Sequence, residues 1–233
     1  MVSFIISDDE FGDITVKPDS MAARYIFRVK SGRIIATIPS RAKEKELIAV
    51  LEEKRADIRK LWLRRRDDCL SVGDVIETRC FTIIINSHSG KNILYNLKDG
   101  ALYVLFPVSA DISDEIIQNK LKTGIMSFIR RSSEVYLKER LDNISSTLKL
   151  NYRGFSVSYG RSRLGKCDVN RNITLSCYLM FYPQQLIDYV VMHELAHLTE
   201  MNHSEDFHRL CNSYCGGNEK SLQSQLRTFP RPI

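Results

Sequence analysis

One stretch near the C-terminal end constrains this chain more than any other. It reads His193-Glu194-Leu195-Ala196-His197-Leu198-Thr199-Glu200-Met201-Asn202-His203, and its first five residues are H-E-x-x-H. Side chains four apart share one face of a helix. A helix here aims His193 and His197 at one point and sets Glu194 beside them. Two imidazoles on one metal ion, with a carboxylate as general base, is an arrangement built for metal-dependent hydrolysis of peptide bonds. The preceding run Leu186-Ile187-Asp188-Tyr189-Val190-Val191-Met192 has the apolar spacing of a buried helix, and Tyr182-Pro183 opens it. Four of the five histidines (193, 197, 203 and 208) fall in this region. The fifth, His88, sits in a turn signal and reads as exposed.

A catalytic zinc site takes three protein ligands and leaves a fourth position open. His203 follows His197 by six residues. Met201-Asn202 is expected to end the helix, because asparagine tolerates the left-handed conformation. Ser204 then reads as the N-cap of a new helix, with Glu205 and Asp206 in its first turn. His203 would sit at the bend and swing back to the metal. His208 competes for that third place, and Glu205 competes more weakly. In H-E-x-x-H-x-x-G-x-x-H sites a glycine makes the turn; Glu200 stands there in this chain, so the turn is expected later. On this reading one zinc ion lowers the pKa of water towards about 7. Glu194 takes the proton and returns it to the leaving amine. Arg161, Arg163 and Tyr159 are candidates for a second electrophile if the loop 160–167 folds over the site.

Composition sets the outer limits. The 233 residues suffice for one large domain or two modest ones. A hydrophobic share of 43% and a charged share of 27% exclude wholesale disorder. The longest apolar runs, 81–85 and 101–108, are too short to span a bilayer. The start, MVSFIISDDEFGD, lacks the basic segment of a secretion signal. A cytoplasmic location is therefore expected, with six reduced cysteines. Cys211 and Cys215 have a metal-pair spacing, but no second pair completes a site, and they read as buried thiols. The net charge of 34 − 28 = +6 admits a nucleic-acid partner only weakly. The clusters Arg64-Arg65-Arg66, followed by Asp67-Asp68, and Arg130-Arg131 read as solvated helix faces.

In chain order, Arg24–Lys30 and Arg33–Ile38 form a hairpin around Ser31-Gly32. Ser40 is expected to cap a helix from about 43 to 66, with Leu47, Leu51, Ile58, Leu61 and Trp62 on its core face. Strands follow at Arg79–Ile85, Asn92–Leu97 and Ala101–Phe106, with Lys98-Asp99-Gly100 as a hairpin turn. Ser113 should cap a helix running to about Leu148. Its apolar face is Ile116, Ile117, Leu121, Ile125, Phe128, Ile129, Val135, Leu137 and Leu141, and a bend or a break is expected at Gly124 or at Ser132-Ser133. Two strands, Gly154–Tyr159 and Asn172–Leu175, flank a basic loop at 160–167 that reads as an exposed turn. No repeat, low-complexity segment or linker stands out.

These motifs resemble the YgjP-like metallopeptidases, relatives of the SprT-like and WLM proteases. That family carries R-x-R-W-G-S-C, then an L-N-W strand, then I-D-Y-V-V-x-H-E-L-x-H-x-x-x-x-N-H-S-x-x-F. The last block stands here as Ile187–Val191, His193–His197, Asn202-His203-Ser204 and Phe207, nearly complete. The first is Arg161–Cys167, with Leu164 for the tryptophan and Lys166 for the serine. The second is Leu175-Ser176-Cys177. Residues 33–39 and 54–62 resemble the family's opening hairpin and basic helix. The resemblance implies a zincin fold, one zinc ion and the third-ligand role for His203. The departures bear on substrate choice and turnover.

The chain thus reads as α+β. A β-rich part with one helix (1–110) precedes a zincin-like part (111–233) joined to it by a long helix, or the two form one continuous domain. The expected activity is zinc-dependent hydrolysis of peptides or proteins, with Glu194 as base and His193, His197 and His203 as ligands. No membrane partner is expected. The rivals are a non-catalytic zinc-containing binding module, with the fourth position filled by Cys167 or Glu205, and a nucleic-acid-associated SprT-like protease.

Overall fold

The computed structural model describes residues 3–30, 33–66 and 69–230. The Ser31-Gly32 turn and Asp67-Asp68 lie outside the described residues, as do the side chains of Arg64, Arg65 and Arg66.

The first part holds β1 (Phe4–Asp8), β2 (Gly12–Asp19), β3 (Ile26–Lys30), β4 (Arg33–Pro39) and α1 (Glu44–Arg66). The strands form one sheet in the order β1-β2-β4-β3, with β2 and β4 parallel and the outer pairs antiparallel. Period-2 alternation puts Ile14, Val16, Ile34, Ala36 and Ile38 on one buried face. α1 covers that face with Leu47, Leu51 and Ile58, and Leu61 and Trp62 pack at the margin. Ser40 does not cap α1. The helix starts later, and the Glu46 carboxylate reaches back to accept the Lys43 amide at 3.2 Å.

The second part repeats this plan. β5 (Val75–Glu77), β6 (Thr82–His88), β7 (Leu94–Lys98) and β8 (Ala101–Pro107) lead into α2 (Glu115–Thr147). The order is β5-β6-β8-β7, again with a parallel central pair and antiparallel edges. The buried pairs Ile14/Ile34 and Val16/Ala36 of the first sheet correspond to Ile83/Leu102 and Ile85/Val104 of the second. The hairpins Ile26–Pro39 and Leu94–Pro107 are both 14 residues long, and each ends in proline. A duplication invisible in composition is therefore present in the topology. Asp99 and Gly100 both sit at positive φ (50° and 76°), the two-residue hairpin turn their types favour.

α2 is one continuous helix of 33 residues. Asp114, not Ser113, is its cap, accepting the amides of Ile116 and Ile117 at 2.8 and 3.1 Å; the Ser113 hydroxyl donates to Asp111 instead. Gly124 does not break the helix. A Cβ there would lie 2.2 Å from the Tyr95 ring, so the glycine admits a close strand–helix contact. Ser133 is buried, and its hydroxyl donates to the Arg130 carbonyl, which also keeps the helix whole. Ile116 and Val135, expected on the apolar face, are mostly exposed.

A third sheet, in the order β10-β11-β9, is built from β9 (Gly154–Ser158), β10 (Gly165–Cys167) and β11 (Asn172–Ser176). The last three residues of the expected exposed loop 160–167 are thus an edge strand. A short 3-10 helix (Cys177–Phe181) leads into α3 (Gln184–Ala196), followed by α4 (Glu205–Tyr214) and α5 (Glu219–Thr228). The buried side chains form two clusters. One runs from Phe11 to Ile58. The other runs from Leu70 to Cys215 and joins the second sheet, α2, the third sheet and α3. Residue 110, where the sequence suggested a boundary, lies between elements that both belong to the larger cluster. Cys211 and Cys215 are buried free thiols in contact with each other. Among the described residues, no helix is long and apolar enough to cross a membrane.

Candidate metal centre

α3 carries the site on its last turn. Its buried side, Leu186, Ile187, Val190, Val191 and Leu195, anchors it in the larger core. Asp188 forms a half-buried ion pair with Arg140 of α2 at 2.7 Å, which fixes α3 against α2. The helix ends earlier than expected. Ala196 is its last residue and His197 its cap, and the amides of Thr199 and Glu200 both turn back to the Ala196 carbonyl. This tight turn does the work glycine does in related spacings. It also brings the Glu200 carbonyl within 3.0 Å of His197 Nδ1. Ser204 caps α4 as expected, accepting the Phe207 amide at 3.3 Å, with Glu205 and Asp206 in the first turn.

The bend brings His203 back onto α3. One ring nitrogen from each of His193, His197 and His203 lies within 4.8 Å of the others. His193 Nε2 and His203 Nε2 are 3.0 Å apart. Phe207, fully buried, is the floor of the group, with its ring centre 4.9, 4.5 and 4.8 Å from those of His193, His197 and His203. His208 is not in the group. Its Nδ1 lies 2.7 Å from the buried Glu219 carboxylate of α5. Glu205 and Cys167 are likewise outside it. His88 bonds within its own turn, to Asn92 and Gly90.

Burial holds His193 neutral, lowering its pKa to about 4. His197 is lowered for the same reason. Burial acts the opposite way on Glu194, raising its carboxyl to about 7, against the lowering effects of the Cys167 amide and of Arg163. Sequence reasoning missed why Gly165 stands beside it. A Cβ at Gly165 would lie 2.4 Å from Glu194 Oε1 and 2.7 Å from its Cγ. The glycine leaves the space that the carboxylate fills.

A family model described as YgjP-like, metallopeptidase domain, matches residues 23–229. The chain belongs to this family. It is accordingly a metal-dependent peptidase acting on peptide or protein substrates. No curated protein matches it. Two solved structures are similar over part of it. The metallopeptidase zymogen of Methanocaldococcus jannaschii jannalysin is 18% identical over 39% of this chain and 93% of that one, with a TM-score of 0.35. The metallopeptidase zymogen of Pyrococcus abyssi abylysin is 20% identical over 40% and 92%, with a TM-score of 0.36. Likenesses this partial carry no argument here.

The positions where this YgjP-like chain departs from the family pattern lie around the loop after β9. Ser176 ties that loop down, its hydroxyl donating to the Gly160 carbonyl at 2.7 Å and its amide to the Leu164 carbonyl at 2.8 Å. Cys177 is fully buried in the core. Leu164 lines a pocket beside Glu194, and Lys166 is exposed on β10. Of the three candidate electrophiles, Arg163 lines that pocket and acts electrostatically on Glu194. Tyr159 is instead covered by the Arg130 guanidinium, 5.4 Å from its ring centre. Arg161 does not line the pocket.

Proposed function

We propose that this chain hydrolyses peptide bonds in a zincin-type site, with one zinc ion held by His193, His197 and His203 and with Glu194 as general base. The observation that carries this reading is the convergence of three ring nitrogens from two sides of one tight turn, with a buried carboxylate adjoining the first. The residues fit the ion. Two nitrogens at about 2.0–2.1 Å from one tetrahedral centre lie about 3.3 Å apart, close to the 3.0 Å between His193 and His203. Neutral imidazoles are what a metal requires, and burial keeps His193 and His197 so. His197 Nδ1–H donates to the Glu200 carbonyl, which leaves the Nε2 lone pair free. Among the described residues His193 Nδ1 is buried without a hydrogen-bond partner, and the Nε2 of that ring is the atom that faces His203.

When bound, zinc supplies Lewis acidity toward water and toward a carbonyl oxygen. The chain's own residues do the rest. Glu194, poised near neutrality, accepts a proton from water and returns it to the leaving nitrogen. The Cys167 amide orients its carboxylate, and Gly165 makes room for it.

The test compares zinc-loaded wild type with Glu194→Gln on a broad panel of peptides and unfolded proteins. Both should hold one zinc, and the variant should lose about 10³-fold in rate. Equal activity with equal zinc content would sink the hydrolase reading. His203→Ala should weaken zinc binding strongly and His208→Ala should not; the reverse would move the third ligand to α4.

A further inference from the structure

Beside His193 and Glu194 lies a pocket of about 350 Å³ that the metal chemistry does not call for. One wall is the β10 strand and the loop before it, with Arg163 and Leu164. The other comes from α5, with Leu226 and Arg227, and Tyr189 and Val190 of α3 form the apolar base. α5 is held by three contacts, two to the pocket side and one to α4. Gln225 accepts from Gln185 at 3.1 Å, the Phe229 ring lies 4.9 Å from that of Tyr182, and Glu219 pairs with His208 at 2.7 Å. The α5 wall is therefore part of the fold rather than a loose tail.

Two guanidiniums line this pocket, and neither has a hydrogen-bond or ion-pair partner among the described residues. Among the described residues, Glu194 is the only carboxylate in the lining. Guanidiniums are matched in geometry to carboxylates, which they hold with two parallel hydrogen bonds. The apolar base suits the methylenes that lead to such a group.

We propose that this pocket selects substrates bearing a carboxylate next to the cleaved bond, with Arg163 and Arg227 holding that group. The inference rests on the peptidase reading, because Glu194 and His193 place the pocket beside the scissile bond. The carboxylate comes from an aspartate or glutamate side chain or from the free end of a peptide. Both arginines are exposed, so each pair contributes modestly, and together they should give about tenfold in affinity.

The test reads binding, so it does not depend on turnover. Zinc-loaded Glu194→Gln is titrated with four fluorescent hexapeptides. These carry a central glutamate or glutamine, each with a free or an amidated C-terminus. One carboxylate-bearing class should bind about tenfold tighter than the neutral amide, and which class does so identifies the source. Adding Arg227→Gln should abolish the preference and adding Arg227→Lys should retain most of it, with zinc content and the far-UV circular dichroism melting midpoint unchanged as evidence of folding. Four equal affinities, or a preference that survives both Arg163→Gln and Arg227→Gln, would overturn the proposal. A failure of the peptidase reading looks different, because wild type would then cleave none of the four while the binding preference stands. In active enzyme, Arg227→Gln should raise KM for acidic peptides alone. A fall in kcat for every substrate in Arg163→Gln would assign that residue to the reacting carbonyl instead.

Discussion

The two four-stranded sheets share one plan and differ in what they are attached to. The first closes on its own helix and owns its core, from Phe11 to Trp62. The second uses the same strand order and the same parallel central pair, but its buried face joins α2, the third sheet and the helix bearing the histidines. Identical topology has thus been put to two uses, a self-contained unit and a platform for a site. Burial, not strand order, decides which sheet the chemistry depends on. The first sheet touches the second part through exposed contacts such as Arg33 with Asp111 and Ser113, at 3.4 and 3.0 Å, and contacts of that kind transmit little.

The largest effects should separate the two cores. Ile34→Ala and Leu102→Ala remove equivalent, fully buried side chains, and each should cost about 3 kcal/mol. Trp62, the only tryptophan, packs on Phe11 with ring centres 5.6 Å apart and so reports the first core alone. Denaturant titration followed by its emission should respond to Ile34→Ala, while zinc retention should respond to Leu102→Ala. A single shared transition in both variants would break the comparison.

Gly165→Ala comes next. A methyl group 2.4 Å from Glu194 Oε1 must displace the carboxylate, and misplacement of that size should reduce kcat about 100-fold. The Trp62 transition should not move. Retained activity would mean that Glu194 is not the base.

A smaller effect is expected from Asp188→Asn. It breaks the half-buried pair with Arg140 and should cost about 1 kcal/mol of the stability of the second core, measured by zinc retention in denaturant. No change would show that apolar packing alone fixes α3.

The smallest should appear on acidification of the first part. Glu10 is held down to about 2 by Arg59 first and then Arg55, Asp8 is lowered by Arg55, and Glu52 is lowered by Arg55. Their folded values lie below the unfolded ones. The stability they contribute is therefore full above about pH 4.5 and is lost as pH falls towards about 2. Trp62 emission should report this loss, and Arg55→Ala should flatten the dependence. An unchanged acid profile in that variant would refute the assignment.

Much of this was legible in the chain itself. The H-E-x-x-H spacing, the bend that returns His203, the Ser204 cap and the Asp99-Gly100 hairpin are set by residues within one or two turns of each other. Backbone hydrogen bonding and side-chain period act over that range. The duplication escaped notice because only Lys30/Lys98, Gly32/Gly100 and Pro39/Pro107 are identical between the two hairpins. An apolar pattern constrains a strand without naming its residues. Gly124 and Ser133 misled as helix breakers because their partners, the Tyr95 ring and the packed core, are not their neighbours in sequence.

Tertiary structure alone decided the rest. It brought His203, and not His208, within 4.8 Å of His193 and His197, with His208 set against Glu219 of α5. It gave Gly165 its reason, across 29 residues from Glu194, and it set Arg227 opposite Arg163. Local spacing determines which side chains point the same way. Only the packing of distant segments determines what they point at, because that depends on volumes filled by residues the local pattern cannot see.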